Sequence, residues 1–149
     1  MGRKARALLS AFLDFLFFVV LPNVGLLKAS EEFLQQASSL GVDIGSMVLT
    51  ISVLGVILTI LDVVGGFVKE SSPIYLLTGL LVPTIWYYIA VYGLSIGRAE
   101  NFRRTTLSMR TEQGEVSVYI DLRFILLVLA VGVILKILSR VLEFASARE

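Results

Sequence analysis

The sequence predicts an all-α membrane protein: a four-transmembrane-helix bundle of two tandem two-helix repeats, with a small extramembrane β-hairpin between helices 3 and 4. Three observations predict it. First, residues 7–27, 44–68, 74–97 and 122–142 are each long and apolar enough to cross a bilayer core, which takes roughly 20 residues of helix. Second, the 149-residue chain is 56% apolar and only 17% charged, with a mean hydropathy of +0.87; a soluble domain carries about 25% charged residues. Third, the chain matches itself. Residues 55–62 (GVILTILD) and 132–139 (GVILKILS) agree at six of eight positions, at an offset of 77.

The first segment follows Arg3, Lys4 and Arg6, a pattern shared with signal peptides. Asp14 inside the run and the poor cleavage site Leu27-Lys28-Ala29 favour a span. Pro22-Asn23 leaves a second form open, a re-entrant hairpin. Residues 30–40 form a short amphipathic helix with Phe33, Ala37 and Leu40 on one face. Ser30 caps it and Gly41 ends it; at that length it lies in the membrane interface.

Asp43 caps the second span. A stripe of Gly45, Ser52, Gly55, Thr59, Asp62 and Gly66 runs along it, since residues three and four apart share a face. Small and hydroxyl residues let membrane helices approach closely, so this face is expected to pack inward. Ser72-Pro73 opens the third span with a capping hydroxyl and a proline at the first helical position. Pro83 is expected to kink that span. Trp86, Tyr87, Tyr88 and Tyr92 follow, with Trp86 too near mid-segment for an interface anchor; packing is the expected role. Gly93 and Gly97 make a GxxxG pair.

Residues 105–121 read as a β-hairpin. Leu107, Met109 and Thr111 alternate on one strand, and Val116, Val118 and Ile120 on the other. Gln113-Gly114 marks the turn, and the expected pairing sets Thr111 against Val116, Met109 against Val118 and Leu107 against Ile120. Arg98, Arg103, Arg104, Arg110 and Arg123 surround it and suit lipid headgroup phosphates or a partner, because guanidinium binds phosphate bidentately. Asp121 is the expected cap of the fourth span, whose stripe is Gly132, Lys136, Ser139 and Glu143.

The chain reads as one integral membrane domain, residues 1–149. Repeat 1 covers 7–68, repeat 2 covers 74–144 and the hairpin loop covers 98–121. The first and third spans align at an offset of 70, placing Phe17-Phe18-Val19 on Tyr87-Tyr88-Ile89. Chance matching among Val, Ile and Leu is the competing account. Two helices per repeat make both copies parallel.

Chemistry is bounded by what is missing. The chain has no Cys and no His, which excludes disulfides, the usual Cys/His zinc sites and His-dependent triads. Its net charge of +1 argues against nucleic acid. No cofactor or metal site, P-loop or nucleophile motif is present. The expected protein is therefore not an enzyme. An intramembrane aspartyl hydrolase would need Asp14 and Asp62 as its pair, and an ion pair with Lys136 is the simpler account.

The ionisable residues inside the spans carry the remaining signal. In an up-down-up-down bundle Asp14, Asp62 and Lys136 fall at one depth. Buried charge of this kind pairs or meets water, and Lys136 and Arg140 suit Asp62 and Asp14. The layer reads as a register-fixing ion pair or as a polar path lined by Asp14, Thr59, Asp62, Lys136 and Arg140. Ser52, Gly55, Gly93, Gly97 and Gly132 are the candidate helix-packing positions. The expected function is a structural or assembly subunit of a homo-oligomer or larger membrane complex, with membrane lipids, other copies or other subunits as partners. The alternative is a small oligomeric ion channel or ion-coupled transporter. The expected location is multi-pass in a membrane, the cell membrane first. Basic residues tie at six on each side, so orientation stays open.

Overall fold

Pro22 removes one backbone donor from the middle of the first apolar segment, and the helix absorbs the loss without breaking. The computed structural model describes residues 2–97, 104–111 and 114–148, with residues 104–111 and 114–119 described by their backbone alone. Helix α1 (Arg3–Phe15) passes through a π-helical turn (Leu16–Val20) directly into α2 (Leu21–Lys28). The first span is thus one continuous rod of 26 residues, Arg3–Lys28, and not a re-entrant hairpin. Widening to i→i+5 bonds suits a segment whose next residue cannot donate. The Asn23 side-chain amide donates to the Val19 carbonyl at 2.7 Å. The same amide nitrogen donates to Ser52 Oγ on the next span, also at 2.7 Å.

Helix α3 (Glu31–Ser39) begins where Ser30 Oγ accepts from the Phe33 amide at 3.2 Å. It ends at Gly41, whose φ of 73° lies in the left-handed region glycine tolerates. Helix α4 (Ile44–Phe67) is the second span. Asp43 caps it, accepting from the Ser46 amide at 3.0 Å and the Ser46 hydroxyl at 2.8 Å. Those hydrogen bonds hold the Asp43 carboxyl below the usual carboxylate range. Its folded-state value is depressed, so the cap stabilises above the unfolded value of about 3.9 and fades as pH falls through the folded one. Asp43→Asn, also a good cap, is expected to retain neutral-pH stability and to flatten this acid limb; thermal unfolding at pH 7 and pH 3 checks it.

Helix α5 (Pro73–Leu94) is the third span, capped by Ser72 Oγ accepting from the Ile74 amide at 3.3 Å. It runs on through Pro83 as α-helix. The expected end at Gly97 is corrected: the helix stops at Leu94. Gly97 sits beyond it at φ 69°, its amide bonded back to the Tyr92 carbonyl at 2.9 Å. Helix α6 (Arg123–Ser146) is the fourth span. Leu122 is its N-cap residue, and Asp121 serves from one position further out, accepting from the Arg123 amide at 3.0 Å.

Strands β1 (Arg104–Thr111) and β2 (Gly114–Asp121) pair antiparallel. The expected register is off by two residues. Thr111 faces Gly114, Met109 faces Val116 and Leu107 faces Val118. The physical reason is loop length: only Glu112 and Gln113 intervene, and two-residue connections are the favoured hairpin loops.

The protein is mostly helical, with four helices long and apolar enough to cross a membrane. Packing follows chain order: the first span lies on α4, α4 on α5, and α5 on α6. Glycines set the closest approach. A Cβ built on Gly55 would lie 2.6 Å from Phe18 Cβ, and one on Gly66 would overlap the Ala7 methyl. The first and fourth spans have no extended contact with each other, so the row of helices is open on that side.

Candidate functional site

The ends of all four spans enclose a cavity of about 510 Å³. The start of α1, the end of α4, the start of α5 and the end of α6 meet there. Arg3, Arg6, Asp62, Glu70, Tyr75, Lys136, Arg140 and Glu143 line it. So many charges inside one bundle end point to a wet interior, because ionisable groups in spanning segments face water or a partner.

Tyr75 organises the upper part. Its side chain is 2% exposed, and its hydroxyl donates to Glu143 Oε2 at 2.7 Å. Arg140 donates to the same hydroxyl and lies over the ring, its guanidinium carbon 4.2 Å from the centroid. Arg140 also meets Glu143 at 3.3 Å. From the other side, Arg3 stands 5.5 Å from the ring centroid and pairs with Glu70 at 2.7 Å. That pair is well exposed and adds little stability. Its geometric effect is larger, because Arg3 also donates to the Gly66 and Val68 carbonyls at the end of α4. The start of the first span is thereby tied to the end of the second.

Two carboxyl groups meet at the cavity wall: Asp62 lines the cavity, and Asp14 lies behind it, outside the lining. Asp14, 7% exposed, accepts from the Trp86 indole N–H at 3.3 Å. Trp86 is held edge-on against Phe18, with ring centroids 4.9 Å apart. Asp14 stands beside Asp62, and Lys136 is near enough to act on it electrostatically. Asp62 Oδ2 is buried and has no hydrogen-bond partner.

The residues singled out in the sequence divide clearly. Asp14 and Asp62 come together, and Asp62, Lys136 and Arg140 share the cavity. The ion pairing differs from the expectation. Arg140 binds Glu143, one turn along its own helix, and Tyr75 across from it. Lys136 is exposed and makes no ion pair within 4.0 Å among the described residues. Thr59 is outside the cavity and returns its hydroxyl to the Gly55 carbonyl of its own helix at 2.8 Å. Ser52 and Gly55 face the first span as packing positions. Gly93 and Gly132 do not pack, since a Cβ there would meet nothing within 4 Å, and Gly97 lies past the helix end. Arg123 is exposed and 3.9 Å from Asp121. Arg98 and Arg103 lie outside the described residues, as do the side chains of Arg104 and Arg110.

Sequence reasoning missed Tyr75, Arg3 and Glu70, and it set Trp86 down as packing. A signal existed for Trp86. An indole N–H inside a bundle seeks an acceptor, and Asp14 is one of the acids that the sequence sets inside the spans. Comparison with protein-family models, curated proteins and solved structures finds no match to this chain. Its fold and site are those of four helices long and apolar enough to cross a membrane, with a charged cavity open at one end of the bundle.

Proposed function

We propose that the chain is a non-enzymatic, multi-pass subunit of the cell membrane that assembles with copies of itself or with other membrane subunits. The carrying observation is the open side of the helix row. The first and fourth spans both line the charged cavity, yet they have no extended contact. Lys136, near the middle of α6, is exposed there. A lysine at the centre of a membrane helix costs about 2.5–3.5 kcal/mol against lipid, so a helix from another chain covering that gap removes a real penalty. The hairpin, with its arginines, is a second surface for headgroups or a partner, since an isolated two-stranded ribbon is marginal in water.

Two tandem repeats fit this reading. The first span packs on the second and the third on the fourth. Gly55 and Gly132 correspond in the repeat, yet Gly55 is filled by Phe18 and Gly132 is bare. A second chain at Gly132 would restore the equivalence.

The chain has no cysteine, so a single introduced thiol reports only on itself. Gly132→Cys, oxidised in native-like lipid, is expected to give a disulfide-linked dimer, and the unmodified protein to exceed one chain's mass in nanodiscs. A monodisperse monomer that neither cross-links nor brings a second subunit from its own membrane rejects assembly.

A second reading, a polar path, is favoured by one specific observation: the unpartnered Asp62 oxygen beside a cavity that opens at the bundle end. A reconstituted ion flux that survives Asp62→Asn would remove that residue from the path.

A further inference from the structure

We propose that Asp14 and Asp62 hold one exchangeable proton between them, making the carboxyl pair a proton-binding site that meets the cavity through Asp62. The inference rests on the polar-path reading of the cavity and names the ion. Asp14 is 7% exposed and its Oδ1 is anchored by the Trp86 N–H at 3.3 Å. Asp62 stands beside it with Oδ2 buried and unpartnered. Two ionised carboxylates offer only acceptors to each other. A proton on either one turns an oxygen into a donor and satisfies the orphan, as in paired carboxyls that share a site.

The charge balance agrees. From α5 the pair is faced by the Trp86 N–H, and from α6 Lys136 acts on Asp14. Arg140, further up the cavity, is already engaged by Tyr75 and Glu143. With one proton the pair carries a single negative charge, which Lys136 neutralises. Without it the site is net negative. The proton arrives from hydronium in the cavity water and leaves to water by the same route, past the Asp62 carboxyl that lines it.

The molecule carries its own reporter. Trp86 is the single tryptophan, and the chain has neither His nor Cys to titrate near neutrality. Full-length protein in phosphatidylcholine–phosphatidylglycerol vesicles is titrated from acid to alkaline pH while Trp86 emission is followed. One transition is expected. It is lost in Asp14→Asn and in Asp62→Asn, and retained in Glu70→Gln. Should the Asp variants not fold, Lys136→Gln reads the same site: it is expected to move the midpoint by about one pH unit, the effect of removing a neighbouring opposite charge. A transition that is absent, or unchanged in Asp62→Asn and Lys136→Gln alike, overturns the proposal. So does a midpoint that follows sodium concentration, which would make the ligand a metal cation. A pH-sensitive dye trapped in the vesicles reads passage separately. Titration of Trp86 without flux keeps the site and rejects the path, and flux without titration rejects the site.

Discussion

Gly66→Ala is expected to destabilise the protein by about 1–3 kcal/mol, the usual effect of adding volume to a tightly packed position. A Cβ at Gly66 would overlap the Cβ of Ala7. Neither partner is the far end of a flexible side chain, so the helices themselves must separate. Separation would also stretch the Arg3 contacts to the Gly66 and Val68 carbonyls. The matched control is Gly132→Ala, where a Cβ meets nothing within 4 Å. Within the monomer it removes a helix-interior glycine, a gain of up to about 1 kcal/mol. Denaturant unfolding in mixed micelles, followed by Trp86 emission, separates the two. Equal effects from both would mean that the first two spans do not approach at Gly66. A control that destabilises only in lipid would instead locate a neighbouring chain on Gly132.

Tyr75→Ala is expected to cost more, about 3–5 kcal/mol, the range for truncating a buried aromatic ring. The ring is 2% exposed and lies beneath Arg140 and Arg3. Its hydroxyl joins Arg140 to Glu143. Tyr75→Phe keeps the ring and leaves two charged groups without that bridge, at about 1–3 kcal/mol. The difference between the two variants divides packing from hydrogen bonding. The same unfolding experiment reads both. A Tyr75→Phe loss as large as that of Tyr75→Ala would place the whole effect in the hydroxyl.

The spans were legible in the sequence because a bilayer demands long apolar helices, and little else has that composition. Their ends were less so. Gly97 reads as helix by hydropathy, yet the chain turns at Leu94 into a left-handed glycine stop. The shared depth of Asp14 and Asp62 was legible from the sequence, but their direct meeting was not, because an ion pair with Lys136 looked the simpler account. Lys136 and Arg140 were misassigned because depth says nothing about a competitor on the same helix. Glu143 sits one turn from Arg140 and takes it at 3.3 Å. Small residues posed a similar problem. Gly55 and Gly132 carry the same motif, but only the neighbour's shape decides whether the gap is filled, and Phe18 fills one of them. The hairpin's register depended on the loop length, which alternation does not encode.

The π-helical turn at Leu16–Val20 sets the rotational phase of the first span. Ala7, Asp14, Phe18 and Asn23 all meet α4, at Gly66, Asp62, Gly55 and Ser52 in turn. The last step, from Phe18 to Asn23, is five residues long and falls on the wide turn, where an α-helix would take three or four. The turn therefore works as a one-residue spacer. Closing the turn to ordinary α-helix with all its residues kept would swing one half of the span by about 100° against the other. Either Asp14 or Asn23 would then point into lipid, and the cost of that misdirection is what holds an irregular turn in an otherwise regular helix.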